Sequence, residues 1–365
     1  MKSKARENFL NARIVKLIAI CAALTVALTA HANDSTARLG AGGLELTRSD
    51  QIRMAEEVLE ISKTQIRVHY KFFNDSRIDV KTIVAFPMPR YRWNPRESQM
   101  DANIGPLKSF RTWADGMPSS VTTDTKAYLK GKDITSVLRS NGLAGERLTA
   151  PLWCSLEMVS AKVCLSEGLN RRVPGVIDDG RPMYEIQETA WWEQTFPRGK
   201  TVAVDHTYQP KVGQIYGFFR DAVTDSEWLR PWKSGGDAGA DDPRVACMHE
   251  GGQAAVTARV KRLAALDEGP VSVVLNDVEY VLGTGRNWNS PIEKFLLRIK
   301  KQSPEQIISL CFPGKARRVD PLTIEFEATN FVPQDSLVVY FFTLETQAQI
   351  DRKPPANVKR KREEK

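Results

Sequence analysis

Gln65–Phe73 reads QIRVHYKFF, and Ile66, Val68, Tyr70 and Phe72 alternate there with Gln65, Arg67, His69 and Lys71. A period of two puts the first set on one face of an extended strand, against a core, and the second set toward solvent. Asn74-Asp75-Ser76 follows, and such side chains bond back to the local backbone and favour a turn. Val80–Phe86 then reads as the paired strand, ended by Pro87 and Pro89, because proline cannot donate to a ladder.

Strand signals continue outward from this hairpin. Phe110–Ala114, Asp115-Gly116 and the segment after Met117 predict a second hairpin. Asp133 is a candidate N-cap for a short helix in which Ile134, Val137 and Leu138 share a face, and Asn141-Gly142 stops it. Residues 144–183 mix two cysteines with Gly, Pro and Arg and show little periodicity. Tyr184–Phe196 and Thr201–Tyr208 resume the strand pattern, and the polar, glycine-rich run 229–243 reads as a loop. Val256, Val260 and Leu263 predict a helix near 252–266. Five strands are expected at Val271–Leu282, Phe295–Lys300, Ile307–Phe312, Leu322–Ala328 and Leu337–Leu344.

The fold expected from this pattern is mainly β: two antiparallel β-sandwich-like units with a few short helices, stapled by disulfides. The first unit is an N-terminal β-rich domain at 33–217, with a loop-rich excursion at 144–183. A linker with a short helix covers 218–264. The second unit is a C-terminal β-rich domain at 265–345, and a disordered basic tail covers 346–365.

Ahead of these units, Lys2, Lys4, Arg6, Arg13 and Lys16 precede the apolar run Leu17–Ala30, and Ala30-His31-Ala32 forms an A-x-A box. This is the layout of a signal peptide at 1–32, cleaved between Ala32 and Asn33. The 14-residue run is shorter than the ~20 residues that span a bilayer. The expected location is therefore periplasmic or extracellular, with no transmembrane helix in the mature chain. The formal net charge of +8 divides into +4 in the leader and +4 in the tail Asp351–Lys365, leaving 33–350 neutral. A neutral body lacks the basic face of a nucleic-acid-binding protein.

The mature chain keeps Cys154, Cys164, Cys247 and Cys311. An even count in an exported chain favours disulfides. Three connectivities are open; Cys154–Cys164 is favoured because its loop is short, with Cys247–Cys311 by elimination. Zinc is the competing reading, but no C-x-x-C spacing is present.

Catalytic patterns are sparse. The mature chain holds only His69, His206 and His249, and no G-x-S-x-G elbow. Asp205-His206 suggests a base and its orienter, yet adjacent strand residues point to opposite faces. His249-Glu250 begins like H-E-x-x-H, but position 253 is Gln. Gly283-x-Gly285 lacks the third glycine of a dinucleotide loop, and no cofactor is expected. Trp192, Trp228, Trp232 and Trp288 are candidate exposed platforms for glycan or protein, against the alternative of core packing. Lys359, Arg360, Lys361 and Arg362 form a basic run that could meet an anionic membrane surface.

Several stretches resemble domain-of-unknown-function family 4424, a group of exported bacterial proteins. They are Ala32–Leu46, Ile66–Pro89, Thr284–Trp288 with Pro291-Ile292 and Phe295, Asp205–Gly213, and Ser309–Cys311. The resemblance implies export and carries no catalytic residues to map. The function expected is a non-catalytic binding or assembly module of the cell envelope, with an unknown envelope protein or glycan as partner. The alternative is an envelope hydrolase, metal-assisted, with His206, His249, Glu250 and Asp242 as its candidate residues.

Overall fold

Alternation governs the strands that the structure shows. The computed structural model describes residues 34–40, 43–92, 106–143, 148, 167–178, 181–219, 250–266, 271–334 and 336–352. In the first half of the chain the strands are β1 (Ser35–Gly40), β2 (Gly43–Thr47), β3 (Ile52–Ile61), β4 (Ile66–Asn74), β5 (Val80–Pro87), β6 (Tyr91–Arg92), β7 (Arg111–Ala114), β8 (Met117–Pro118), β9 (Thr122–Leu129) and β10 (Lys132–Asp133). Then come β11 (Ile177–Asp178), β12 (Arg181–Pro182), β13 (Glu185–Phe196), β14 (Thr201–Tyr208), β15 (Val212–Phe219) and β16 (Val271–Val281). The last are β17 (Ile292–Lys300), β18 (Ile307–Ser309), β19 (Arg317–Asp320), β20 (Thr323–Phe331) and β21 (Ser336–Thr346). Four helices accompany them among the described residues: α1 (Thr135–Ser140), α2 (Glu167–Arg172), α3 (Glu250–Ala264) and α4 (Gln347–Asp351).

Three larger sheets result. An eight-stranded sheet runs β19–β20–β17–β3–β4–β14–β7–β8, a seven-stranded one runs β10–β9–β13–β5–β1–β2 with β6 beside β13, and a four-stranded one runs β15–β16–β21–β18. β11 and β12 pair separately. The inward rows of β4 (Ile66, Val68, Tyr70, Phe72) and β14 (Val202, Val204, His206, Tyr208) are all buried. They meet Val84, Phe86, Ala190 and Trp192 of the seven-stranded sheet, and Val278, Tyr280, Leu337, Val339 and Phe341 of the four-stranded one, in one core. Each large apolar side chain fully buried there contributes about 1.5–3 kcal/mol.

β3 shows how a broken pattern can still serve one face. Ile52 and Met54 point inward, the register slips between Met54 and Glu56, and Glu57, Leu59 and Ile61 then point inward. The extra residue is a β-bulge, which re-aims every side chain after it. It buries the Glu57 carboxylate opposite Tyr70. The Tyr280 hydroxyl lies 3.5 Å from Glu57 Oε1 and 2.9 Å from the Tyr70 hydroxyl.

The expectation of two separate sandwich-like units is corrected here. β3 pairs in parallel with β17, Lys294 opposite Glu56 through Ile299 opposite Ile61, so residues from 33–217 and 265–345 share a sheet and a core. All described residues lie in one compact unit, His31–Lys365. The 3-10 turn Gly283–Asn287 joins the segments again. Trp288 Nε1 donates to the Asp34 carbonyl at 2.7 Å, and Asn287 Nδ2 donates to Ser35 Oγ at 2.9 Å. Within the expected linker, α3 packs Val256, Val260 and Leu263, one helical stripe, on Val271, Val273, Leu275, Phe342 and Leu344.

Staples are a second correction. Cys311 is disulfide-bonded, but Cys21, Cys154, Cys164 and Cys247 fall outside the described residues. No complete sulfur–sulfur pair is therefore present among the described residues, and hydrogen-bonded sheets and the shared core hold the described fold together.

Candidate functional site

β16 and β21 lie side by side, with Ser272 opposite Glu345, Val274 opposite Thr343 and Asn276 opposite Phe341. One face of the pair carries Val271, Val273, Leu275, Phe342 and Leu344 to α3. The other face carries Val278, Tyr280, Leu337, Val339 and Phe341 into the main core. Toward its far end that second face leaves the core behind, and Ser272, Val274, Asn276, Thr343 and Glu345 line a groove of about 520 Å³. The size falls within the roughly 300–1,000 Å³ of ligand sites.

Hydrogen bonds fix the walls. In the β3–β4 turn, Ser62 Oγ donates to the Gln65 carbonyl at 2.8 Å and accepts from Gln65 N at 2.9 Å. This presents Lys63, whose Nζ donates to Asn276 Oδ1 at 2.9 Å. Asn276 Nδ2 in turn donates to the Gly213 carbonyl at 3.3 Å. At the other end a capping box joins β21 to α4: Thr346 Oγ1 accepts from Gln349 N, and Gln349 Oε1 accepts from Thr346 N. The box sets Gln347 and Ile350 on the groove wall. Gln306 Nε2 holds Thr343 Oγ1 at 3.2 Å, while Gln306 Oε1 accepts from the backbone of Gln302, another lining residue. Val212 and Gln214 of β15 close the remaining side.

The groove thus has a basic end at Lys63 and an acidic end at Glu345. Arg259 of α3 lies within electrostatic reach of Glu345 and Glu305. Ser272 is 1% exposed, and its hydroxyl has no hydrogen-bond partner. Buried hydroxyls are satisfied in the large majority of cases, so such a group in a groove wall calls for an explanation.

The sequence-predicted candidates are dispersed. His206 is fully buried, with ring centroids of Phe86 at 4.6 Å, Phe110 at 5.2 Å, Tyr70 at 5.3 Å and Trp192 at 6.3 Å. Neither ring nitrogen has a hydrogen-bond partner, and burial pushes the imidazole down to about 3. Asp205 points to the opposite face, where its Oδ1 sits 2.8 Å from Nδ1 of His69, its cross-strand neighbour. The structure therefore separates the Asp205 carboxylate from His206 and gives it to another histidine. Asp34 is also buried, and burial together with nearby Glu57 holds its carboxyl well above the usual range.

Trp192 and Trp288, expected as exposed platforms, are each 1% exposed, which corrects that reading. Trp288 packs on Phe72 at 4.5 Å and Phe196 at 6.2 Å, and Trp192 faces Phe110 at 6.3 Å. Both fill the core because their strand and turn positions face inward. Trp228, Trp232, Asp242, Cys247, His249, the Ala32/Asn33 junction and Lys359–Arg362 lie outside the described residues. Glu250 opens α3. Among the described residues no group of three or more His, Cys, Asp or Glu is placed to hold a metal ion, and no helix is long and apolar enough to cross a membrane.

Sequence reading missed the groove. Its trace is faint but present in VSVVLNDVEYV: Ser272 and Asn276 share parity with the core residues Val278 and Tyr280. Polar residues on an otherwise core-facing row mark where that row leaves the core.

A family model described as "Domain of unknown function (DUF4424)" matches residues 32–340. No curated protein matches the chain. Among solved structures, one described as a "putative nutrient binding protein" from Legionella pneumophila is similar at 13% identity and a TM-score of 0.39, covering 86% of this chain and 70% of that one. A likeness that distant carries no argument about fold or ligand.

Proposed function

Because the chain belongs to the DUF4424 family, whose defining domain has no known function, we propose a role argued from its own residues. The chain is an exported, non-catalytic binding module of the bacterial cell envelope, and it holds its ligand in the groove over β15, β16 and β21. The groove itself is the observation that carries this reading. Its walls are strands, a bonded turn and a capped helix, so its polar groups are ordered before binding, which lowers the entropic cost of association. The leader layout at 1–32 supports export. A disulfide-bonded Cys311 suits an oxidising compartment, with Cys247 as its proposed partner and Cys154–Cys164 as the second pair.

Capture from an envelope extract tests the role, comparing the full chain with Gln214→Trp, which sets an indole on the exposed side of the groove. An envelope protein or glycan retained by the native chain and lost by the variant is the expected result. Equal retention by both overturns the groove as the site. Fractionation with N-terminal sequencing is expected to find the chain outside the cytoplasm, beginning at Asn33, and peptide mapping without reductant to join Cys311 to Cys247. An intact Met1 in the cytoplasmic fraction overturns export.

A further inference from the structure

The geometry points to a short linear peptide with free termini, about three or four residues long, as the ligand of this groove. The inference rests on reading the chain as a binding module. Its ground is the position of the two charges along the floor. Lys63 is tied to Asn276, and Glu345 stands opposite Ser272. Ser272 and Asn276 are four residues apart on β16, and a strand rises about 3.3 Å per residue, so the two ends lie roughly 13 Å apart. An extended chain covers about 3.3–3.6 Å per residue, which makes roughly four residues the length that reaches from one charge to the other. A single amino acid carries both charges on one residue and cannot meet the two ends at once.

The floor between the ends suits a peptide backbone. Gln214, Gln302 and Gln347 line the groove with amides, and an amide both donates and accepts, as a peptide bond does. The Ser272 hydroxyl, buried and without a partner, supplies one more donor and acceptor at the acidic end. Val212, Val274 and Ile350 offer contact for small apolar side chains. The ligand's carboxylate lies toward Lys63 and its ammonium toward Glu345. A sugar would leave both charges unanswered.

The test is calorimetric titration of the full chain with tetra-alanine, its N-acetylated form, its C-amidated form and free alanine. Free tetra-alanine is expected to bind, and each block to weaken binding about tenfold or more, the loss expected for a hydrogen bond to a charged group. Lys63→Met should erase the effect of C-amidation but keep that of N-acetylation, and Glu345→Gln the reverse. Blocked and free peptides binding alike overturn the proposal, with no variant needed for that comparison. Free alanine binding as tightly as tetra-alanine also overturns it. If tetra-alanine fails to bind while Gln214→Trp still abolishes capture from the extract, the peptide class falls and the binding module stands. If capture is also insensitive to that variant, both fall.

Discussion

His206 shows how a single residue can look catalytic in sequence and serve packing in the fold. A histidine beside an aspartate on a strand reads as a base with its orienter, yet the pleat sends the two to opposite faces. The imidazole ends among Tyr70, Phe86, Phe110 and Trp192, where ionisation is costly. Its value of about 3 in the folded chain lies below the ordinary ~6.5. Between those limits the unfolded chain binds a proton that the native chain does not. The His206 contribution is therefore complete above pH ~6.5 and is lost as pH falls toward ~3, at about 1.4 kcal/mol per unit. His206→Phe is expected to remove that slope from urea unfolding free energies measured across the range. Subtracting the variant from the native chain cancels the other buried acids, including Asp34. Equal slopes in the two proteins would refute the assignment.

At the scale of elements, legibility followed regularity. β4 and β14 keep strict alternation and are readable from sequence with their inward rows correct. β3 hides because IRMAEEVLEI changes parity at Ala55, and only pairing with β4 shows that both halves serve one face. Deleting Ala55 restores a regular period and turns either Ile52 and Met54, or Glu57, Leu59 and Ile61, away from the core. The expected cost is at least about 3 kcal/mol in urea denaturation, because two or more large aliphatic groups leave the interior. An unchanged midpoint would show that the bulge is dispensable. The groove was illegible for a related reason. Ser272, Asn276 and Glu345 sit on strands whose two faces are both buried over much of their length, so alternation in sequence does not say where one covering layer stops.

For the whole molecule, the error in sequence reading was to count strand-rich segments as units. Hydrophobic periodicity marks strands but not their partners, and the β3–β17 pairing joins segments that each look self-sufficient. Residues 33–217 produced alone would leave the edge of β3 open beside Leu59 and Ile61, and 265–345 alone would lose the opposing core rows of β4 and β14. Each fragment is expected to give poorly dispersed amide NMR spectra and no cooperative unfolding, while the full chain unfolds in one transition. A sharp transition in either fragment would restore the two-unit description.

The same pairing sets a clock on the life of a newly made chain. Arg53 at the start of β3 meets Glu293 on β17, 240 residues later. At ~5–20 residues per second, a ribosome needs roughly 12 to 48 s to add that length. For that interval a finished β3–β4 hairpin waits with one backbone edge unpaired, and such an edge is open to any other strand that arrives first. The order of synthesis thus makes the centre of the eight-stranded sheet the last part of it to close, so guarding that edge during manufacture falls to something other than the finished fold.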